Sequence, residues 1–430
     1  MALLPQVRWP AKPVESVGND VPSDELIPAW TGKGAPRVIV MRQGGPAMLF
    51  NLCNCAAPLA SSGGPLCIGG AGFVTAVMAT LAANVRTREA KRLRENVPEV
   101  DQVAVRIVTD NLTQLFVPEE TRDGLTIERR VPFSYPDRSP RYILNAEWGL
   151  SLHAQSFAGG EERNVLVDFG FTPEVLNNNM AIIGIDPSTF DAMVLSHGHY
   201  DHFGGMVGFL ERHGRTLKKE IPFYVGGEDA FCIRRSGESQ FGALDRKAIL
   251  DSGLTLMMSS EPAVVADHAF TTGRIGQVSF ETPLRPTTEI IGIFDGFGCF
   301  PEKMPPEKNT GGYIPDNFDH EIATIYNVKE RGLVVLTSCS HGGVINTVRA
   351  AMSASGIDQV LAVIGGFHIV PPLNDDYIRR AIAEFRAIDP KYIIVGHCTG
   401  DRFYDLARAE LGDRAIHSAV GTRFVFAGGL

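Results

Sequence analysis

The chain has 430 residues, of which 44% are apolar and 21% charged. This composition excludes a disordered or fibrous protein and leaves enough chain for a large domain with additions. Lys and Arg total 40 against 49 Asp and Glu, a formal net charge of −9. A nucleic-acid-binding protein needs a basic surface to displace counterions from phosphates, so the charge argues against nucleic acid as a partner.

Residues 1–103 differ in composition from the rest and are assigned to an N-terminal extension, irregular in part and helical in part. The uncharged run at 65–83 is almost long enough to span a membrane but is only weakly hydrophobic. A buried or interface helix, a membrane span and a peripheral membrane contact through 65–95 stay open for it. The following NVRTREAKRLREN has basic residues at helical spacing and predicts a solvated helix. Such an extension could also support a homo-oligomer.

The cysteines and the first residues bear on the cellular compartment. Seven cysteines are few and odd in number, which predicts no disulfide framework and favours a reducing compartment. The opening MALLPQVRWP lacks the pattern of a signal peptide, so we expect a cytoplasmic protein. Cys53, Cys55 and Cys67 could hold a metal only with a distant fourth ligand.

Residues 104–430 are predicted to form an α/β domain in which short β-branched runs alternate with helices. Helices are expected at 173–179, 203–213, 343–355, 374–387 and 401–411. The expected strands are VAVRIVTD, NVLVDFG, AMVLSHG, IPFYVGG, IATIYNV, GLVVLTSCS, LAVIGGFH, KYIIVGH and TRFVFAG. Polar residues follow several of these strands, where open α/β folds place ligands.

The densest of these polar groups is AMVLSHGHYDHFGG, where His197, His199, Asp201 and His202 follow a strand directly. Imidazole and carboxylate ligands suit Zn²⁺, and nearby glycines give the loop the freedom to turn. The segment therefore predicts a metal site. A sequence turn of the type G-x-G-x-x-G before a helix is absent, so nicotinamide or flavin binding is unsupported.

HGHYDH with the upstream strand NVLVDFG resembles the metallo-β-lactamase superfamily of metal-dependent hydrolases. The ordered motifs LNAEWGLS, FTTG, SCSHGG, VIGGFH and VGHCTG resemble its subgroup named for 7,8-dihydropterin-6-yl-methyl-4-(β-D-ribofuranosyl)aminobenzene 5'-phosphate synthase. The resemblance covers about residues 104–430. It implies an αβ/βα sandwich, two mixed β-sheets flanked by helices, and a structural role for Asp168 behind the ligands.

The resemblance also implies that later strand ends supply further ligands. His341 and His397 are expected to bind metal, while His368 is either a ligand or a proton donor. The expected metal ligands are His197, His199, Asp201, His202, His341 and His397. The expected catalytic residues are Asp201 and His368. Position alone suggests Asp110, Asn111, Tyr200 and Phe367 for the substrate pocket.

Two departures from the superfamily pattern leave the metal count open at one or two Zn²⁺. An HTPGH-like motif is replaced by VVADHAFTTG, where only His268 could stand in. The usual bridging Asp is also missing, so Cys339 or His341 must take its place.

The expected activity is hydrolysis of a small molecule by a zinc-bound hydroxide. The substrate class stays open among a phosphate ester, a lactone and an activated heteroaromatic or halogenated compound. The alternative is a metal-binding sensor or scaffold without turnover, which a blocked metal site would indicate.

Overall fold

The computed structural model describes residues 87–93, 96–129 and 142–429. The uncharged run at 65–83 and the three cysteines of the extension lie outside these residues. Within the described ranges, no helix has the length and apolar character needed to cross a membrane.

Strands and helices alternate along the described chain. The strands, in chain order, are β1 (Thr87–Glu89), β2 (Glu99–Val100), β3 (Gln102–Thr109), β4 (Glu120–Arg122), β5 (Leu125–Glu128), β6 (Ser151–Ala158), β7 (Glu161–Val167), β8 (Ala192–Val194), β9 (Pro222–Val225), β10 (Ile233–Ser236), β11 (Ser239–Gly242), β12 (Thr255–Met258), β13 (Val264–Val265), β14 (Ala269–Thr271), β15 (Thr288–Ile290), β16 (Gly292–Phe294), β17 (Phe297–Cys299), β18 (Ile314–Pro315), β19 (Thr324–Val328), β20 (Gly332–Leu336), β21 (Val360–Gly365), β22 (Tyr392–Val395), β23 (Ala415–His417) and β24 (Arg423–Ala427). The α-helices are α1 (Pro173–Ile183), α2 (Tyr200–Phe203), α3 (Met206–His213), α4 (Arg246–Asp251), α5 (Val344–Ser355), α6 (Asp375–Ile388) and α7 (Asp401–Leu411). All five predicted helices and all nine predicted strands are present, with small shifts at their ends.

Two mixed sheets form the centre of the domain. The larger sheet has the order β1-β12-β9-β8-β7-β6-β3-β24-β5-β4. The second has the order β13-β14-β19-β20-β21-β22-β23, with β2 paired to β19. Their inner faces share one apolar core, which contains Val105 and Val194 from the larger sheet and Val334 and Ile394 from the second. The two sheets therefore pack face to face.

Helices cover the outer face of each sheet. Leu176 of α1 and Phe209 of α3 pack with Met193 and Phe223 of the larger sheet. On the other side, residues of α5, α6 and α7 pack against Val363 and its neighbours in the second sheet. Alternate residues of the central strands thus face two cores, which explains why these strands are continuous apolar runs. The architecture is the predicted αβ/βα sandwich.

The segment before residue 104 contradicts part of the expectation. NVRTREAKRLREN forms no helix where it is described, because β1 pairs in parallel with β12 at the edge of the larger sheet. Farther on, β2 pairs with β19 of the second sheet. Helical charge spacing could not reveal this, since the partner strand lies far along the chain. Part of the assigned extension therefore belongs to the sandwich.

A smaller subdomain lies between β9 and β19 in the sequence. Its sheet has the order β11-β10-β15-β18, and β16 and β17 form a separate hairpin. A disulfide joins Cys232 to Cys299, the last residue of β17. This pair contradicts the expectation that the cysteines are reduced; Cys339 and Cys398 are the free thiols of the described part.

His153 in β6 provides a test of the packing of the larger sheet. Its Nε2 donates to Oδ1 of Asn164 at 3.1 Å, and its ring lies 5.7 Å from that of Phe190. Burial lowers the pKa of His153 to about 4, against 6.5 for a free imidazole. The unfolded chain therefore takes up this proton first as the pH falls below 6.5, and the fold loses stability until about pH 4.

We expect His153→Gln to remove this pH dependence. Between pH 7 and pH 5 the wild-type free energy of unfolding should fall by about 2 kcal/mol more than that of the variant. Urea unfolding at the two pH values measures the difference. Equal pH dependence of the two proteins would show that His153 titrates normally in the fold.

Candidate metal centre

The site lies where parallel strands of both sheets end. Strands β7 and β8 run parallel in the larger sheet, and β20, β21 and β22 run parallel in the second. The loops after these strands carry Asp168, the His197–His202 segment, Cys339 with His341, His368 and His397. Because the carboxyl ends of parallel strands meet at one edge, polar side chains far apart in the sequence converge there.

Several loop residues adopt a backbone conformation that is rare outside glycine. Asp168, Ser340, His368 and His397 have φ angles of 61°, 58°, 47° and 49°. Each such residue costs roughly 1–3 kcal/mol and persists only where surrounding contacts fix it. The loops are thus held in set conformations at the site.

Asp168 is fully buried and organises the loop that follows β8. Its Oδ1 accepts from the backbone N–H of Ser196 at 2.7 Å. Its Oδ2 accepts from Ser196 Oγ at 2.8 Å, His202 Nδ1 at 2.8 Å and Ser338 Oγ at 2.5 Å. One carboxylate therefore connects loops of both sheets.

These hydrogen bonds decide which ring nitrogens are left free. Ser196 Oγ donates to Asp168, so it accepts from Nδ1 of His197 at 2.9 Å and leaves the His197 Nε2 lone pair unused. Thr287 Oγ1 donates to Asp316 at 3.3 Å and accepts from His199 Nε2 at 3.0 Å. The other ring nitrogen of His199, Nδ1, is therefore the one that can bind a metal. Ligating histidines in proteins are oriented by such bonds to the other ring nitrogen.

The histidines form two neighbouring clusters. In the first, the rings of His197, His199 and His341 have centroids 4.7–4.9 Å apart. Neither ring nitrogen of the buried His341 has a hydrogen-bond partner. Burial, and then the neighbouring imidazoles, lower the pKa of His197 and His341 well below the usual range. Burial lowers that of His199 to about 3, so all three rings are neutral, the form that binds metals.

The second cluster contains Asp201, His202 and His397. Oδ2 of Asp201 lies 3.7 Å from Nε2 of His202 and 3.4 Å from Nε2 of His397. Burial opposes ionisation of Asp201, but His202 and His397 outweigh it and hold the pKa of the carboxyl well below its usual range. The cluster therefore combines a carboxylate with imidazole nitrogens.

The residues present fit metal ions. Buried polar atoms without hydrogen-bond partners are costly, yet ring nitrogens of His197, His341 and His397 have none. Imidazole nitrogen and carboxylate oxygen are ligands that zinc accepts. The first cluster would hold one ion and the second another.

Of the other predicted site residues, some line a cavity beside the clusters and others do not. Tyr200 and His368 line a cavity of about 270 Å³ against the clusters. Asp110 instead accepts from the backbone N–H of His397 at 2.9 Å, and Asn111 Nδ2 donates to the His397 carbonyl at 2.8 Å, so both hold that loop. Phe367 is buried against Phe385 and Phe403 and does not line the cavity.

His268 does not replace the missing histidine of the first cluster. Its Nδ1 bonds to Ser156 Oγ at 3.0 Å, at the opposite end of the neighbouring strands. His341 takes that place, so the first cluster has three imidazoles after all. The sequence left this open because SCSHGG departs from the usual pattern.

Sequence reasoning missed the roles of three groups of residues. Thr287 and Asp316 hold His199, and Arg234 Nε donates to Oδ2 of Asp316 at 2.6 Å. Glu321 accepts from the backbone N–H groups of His341 and Gly342 at 2.7 Å each. These residues lie far in the sequence from the histidines that they hold, so their roles become visible only in the folded chain. The missed cavity residues are Trp148, Phe171, Ser236, Phe241, Pro286, Thr287 and Cys398.

Comparisons with known proteins identify the family of the chain. A family model of the metallo-β-lactamase superfamily matches residues 150–220. The 7,8-dihydropterin-6-methyl-4-(β-D-ribofuranosyl)-aminobenzene-5'-phosphate synthase of Methanocaldococcus jannaschii is 30% identical over 264 residues, 59% of this chain and 82% of the relative. A UPF0173 metal-dependent hydrolase of Staphylococcus aureus (strain Newman) is 37% identical over 100 residues, 21% of this chain and 42% of the relative.

Among solved structures, a metal-dependent hydrolase of the β-lactamase superfamily matches with a TM-score of 0.54 at 20% identity. The match covers 75% of this chain and 98% of the other and shows a shared fold. Fold, site and relatives define a hydrolase of the metal-dependent class. The chain belongs to the metallo-β-lactamase superfamily and is a relative of the archaeal synthase within it.

Replacing one histidine in each cluster tests the assignment of ligands. We expect His341→Ala and His397→Ala each to remove one ion per chain, because each deletes a nitrogen donor from a different cluster. Elemental analysis of the purified proteins measures this loss. His268→Ala, outside both clusters, is the control and should keep the wild-type content; unchanged metal in the first two variants would contradict the assignment.

Proposed function

We propose that the protein is a zinc-dependent hydrolase that cleaves an ester or lactone bond in a small, uncharged molecule with an aromatic or heteroaromatic ring. The observation that carries the proposal is the cavity beside the two clusters. Its lining combines aromatic rings with His199, Asp201 and His341 of the clusters. A small molecule can reach the clusters through this cavity. Such access favours an enzyme over a metal-binding protein without activity.

The walls of the cavity favour a ring-bearing substrate. Trp148, Phe171, Tyr200 and Phe241 line it. The residues Trp148 and Phe171 are 55% and 39% exposed, and the rings of Phe171 and Tyr200 meet edge to face with centroids 5.0 Å apart. Packing of a substrate ring against exposed aromatic side chains stabilises the complex.

Charge in the cavity argues against a phosphate monoester. Among the described residues that line it, none is Lys or Arg. Arg234 lies behind His199 but is fully buried and engaged by Asp316 and Glu289 at 2.6 and 3.0 Å. Arg and Lys side chains are common partners of phosphate in proteins, so a phosphate here would depend on the metal ions alone. A lactone or carboxylic ester therefore fits better than the phosphate ester among the predicted substrates.

The donor set supports zinc. Zinc takes nitrogen, sulfur and carboxylate ligands, whereas Mg²⁺ and Ca²⁺ prefer oxygen alone. When bound, zinc polarises a substrate oxygen and lowers the pKa of a water. Asp201, already ionised, can accept a hydrogen bond from the attacking water and so orient it.

We assign the protonation of the leaving group to His368. Its ring lines the cavity and lies 4.4 Å from that of His341. Burial alone would lower the pKa of His368, but Cys398 and Glu321 outweigh it and raise the pKa above its usual value. The shift favours the imidazolium, the form that a general acid requires.

The metal and substrate classes are tested together. We expect the zinc-loaded protein to hydrolyse an aromatic lactone such as dihydrocoumarin at least about tenfold faster in kcat/KM than bis(4-nitrophenyl) phosphate or phenyl phosphate, a difference of about 1.4 kcal/mol. A chelator should abolish the activity and added zinc restore it. Faster phosphate hydrolysis would contradict the substrate class, and bound zinc without turnover would support the binding protein.

The role of His368 is tested with leaving groups of different basicity. We expect His368→Gln to lower kcat by about 10²–10⁴-fold for an alkyl ester. The loss should be much smaller for a 4-nitrophenyl ester, whose leaving group needs no proton. Metal content should not change. His213→Gln is the control because His213 bonds to Asn177 on the helical face; an equal loss with both esters would exclude proton donation.

A further inference from the structure

The sulfur of Cys339 lies between the two histidine clusters. Its Sγ forms one group with the ring nitrogens of His197 and His341 and another with those of His202 and His397. In each group the donor atoms lie within 4.8 Å of one another. The Sγ is 3.2 Å from Nε2 of His202. No other residue of the described chain is shared by these two groups.

The loop that carries Cys339 is fixed by its neighbours. Oγ of Ser340 donates to the carbonyl of Gly366 at 3.0 Å and bonds to Oγ1 of Thr337 at 2.6 Å. Glu321 accepts from the two backbone N–H groups that follow. Cys339 itself is 2% exposed. The fold therefore fixes the position of the sulfur beside the clusters. Cys339 is not a surface side chain that can rotate freely.

We propose that Cys339 is a thiolate ligand shared by both metal ions. This inference rests on the proposed function, since it requires an ion in each cluster. The first cluster offers only neutral imidazoles and therefore no negative charge. In the second cluster, Asp201 is the one anionic ligand. A shared anion between two divalent cations reduces their mutual repulsion, and a coordinated thiol gives up its proton outright.

Sulfur in this position also restricts the metal. Thiolate is a soft ligand that selects zinc or cobalt over Mg²⁺ and Mn²⁺. The departure of SCSHGG from the usual bridging Asp then has a chemical meaning. It replaces an oxygen bridge with a sulfur bridge and leaves His341 for the first cluster.

Cys398 is the matched alternative. It is buried, lines the same cavity and shares a group of donor atoms with Cys339 and His368. It belongs to neither group that contains the predicted ligands of the two ions. Replacing it removes a neighbouring thiol without removing a shared donor.

The test is the absorption of the full-length protein reconstituted with Co²⁺. A thiolate bound to Co²⁺ gives a near-ultraviolet charge-transfer band that nitrogen and oxygen ligands do not give. We expect wild type and Cys398→Ala to bind two Co²⁺ and show the band. Cys339→Ala should lose it and bind the second Co²⁺ at least about tenfold more weakly, a loss that even an outer partner of a ligand can cause.

A second variant keeps the test decisive if Cys339→Ala fails to fold. Cys339→Asp offers a carboxylate bridge, so it should bind two Co²⁺ without the band. A band that survives in Cys339→Asp, or that is lost in Cys398→Ala, overturns the proposal. Two bound Co²⁺ without any band in wild type overturn the sulfur bridge alone. No bound Co²⁺ would overturn the proposed function as well.

Discussion

The hydrogen bonds of Asp168 are the interaction on which the site depends. This buried carboxylate follows β7, fixes Ser196 and His202 in the loop after β8, and reaches Ser338 after β20. It therefore joins the two sheets at the edge where their strands end. A charge-assisted hydrogen bond in such a dry environment is stronger than one in water, so the loops are held in register with each other.

The same network leaves the imidazoles in a state that favours metal binding. Nitrogens that bond to Ser196, Thr287 and Asp168 cannot ligate, whereas Nε2 of His197 and both ring nitrogens of His341 and His397 have no hydrogen-bond partner. Free nitrogens of this kind are costly to bury, and left-handed backbone at His368 and His397 adds to the cost. The apolar cores of the sandwich supply the stability that maintains it. Metal ions would then satisfy the nitrogens and stabilise the fold.

A buried network of charges supports the site from the side of the smaller subdomain. Arg234 is fully buried and contacts Asp229, Glu289 and Asp316 at 2.6–3.0 Å. Lys308 adds a second cation against Asp229 and Glu289. Removing one partner would leave an unpaired buried charge, which typically costs 3–5 kcal/mol. Through Asp316 and Thr287 this network reaches His199, so the smaller subdomain that carries it supports the candidate metal centre.

The sequence by itself determined the α/β class, nine of the strands and five of the helices from about residue 104 on, and the segment His197–His202, because each is written in local periodicity or close spacing. It also indicated His341, His368 and His397 as strand-end residues. Only the tertiary structure decided that His341 joins His197 and His199, that Cys339 lies between the clusters, and that Phe367 packs in a core. The same holds for β1, whose partner strand lies far along the chain. The reason is physical: a side chain's role depends on which distant strand end lies opposite it, and residues of equal local pattern can face either a core or a site.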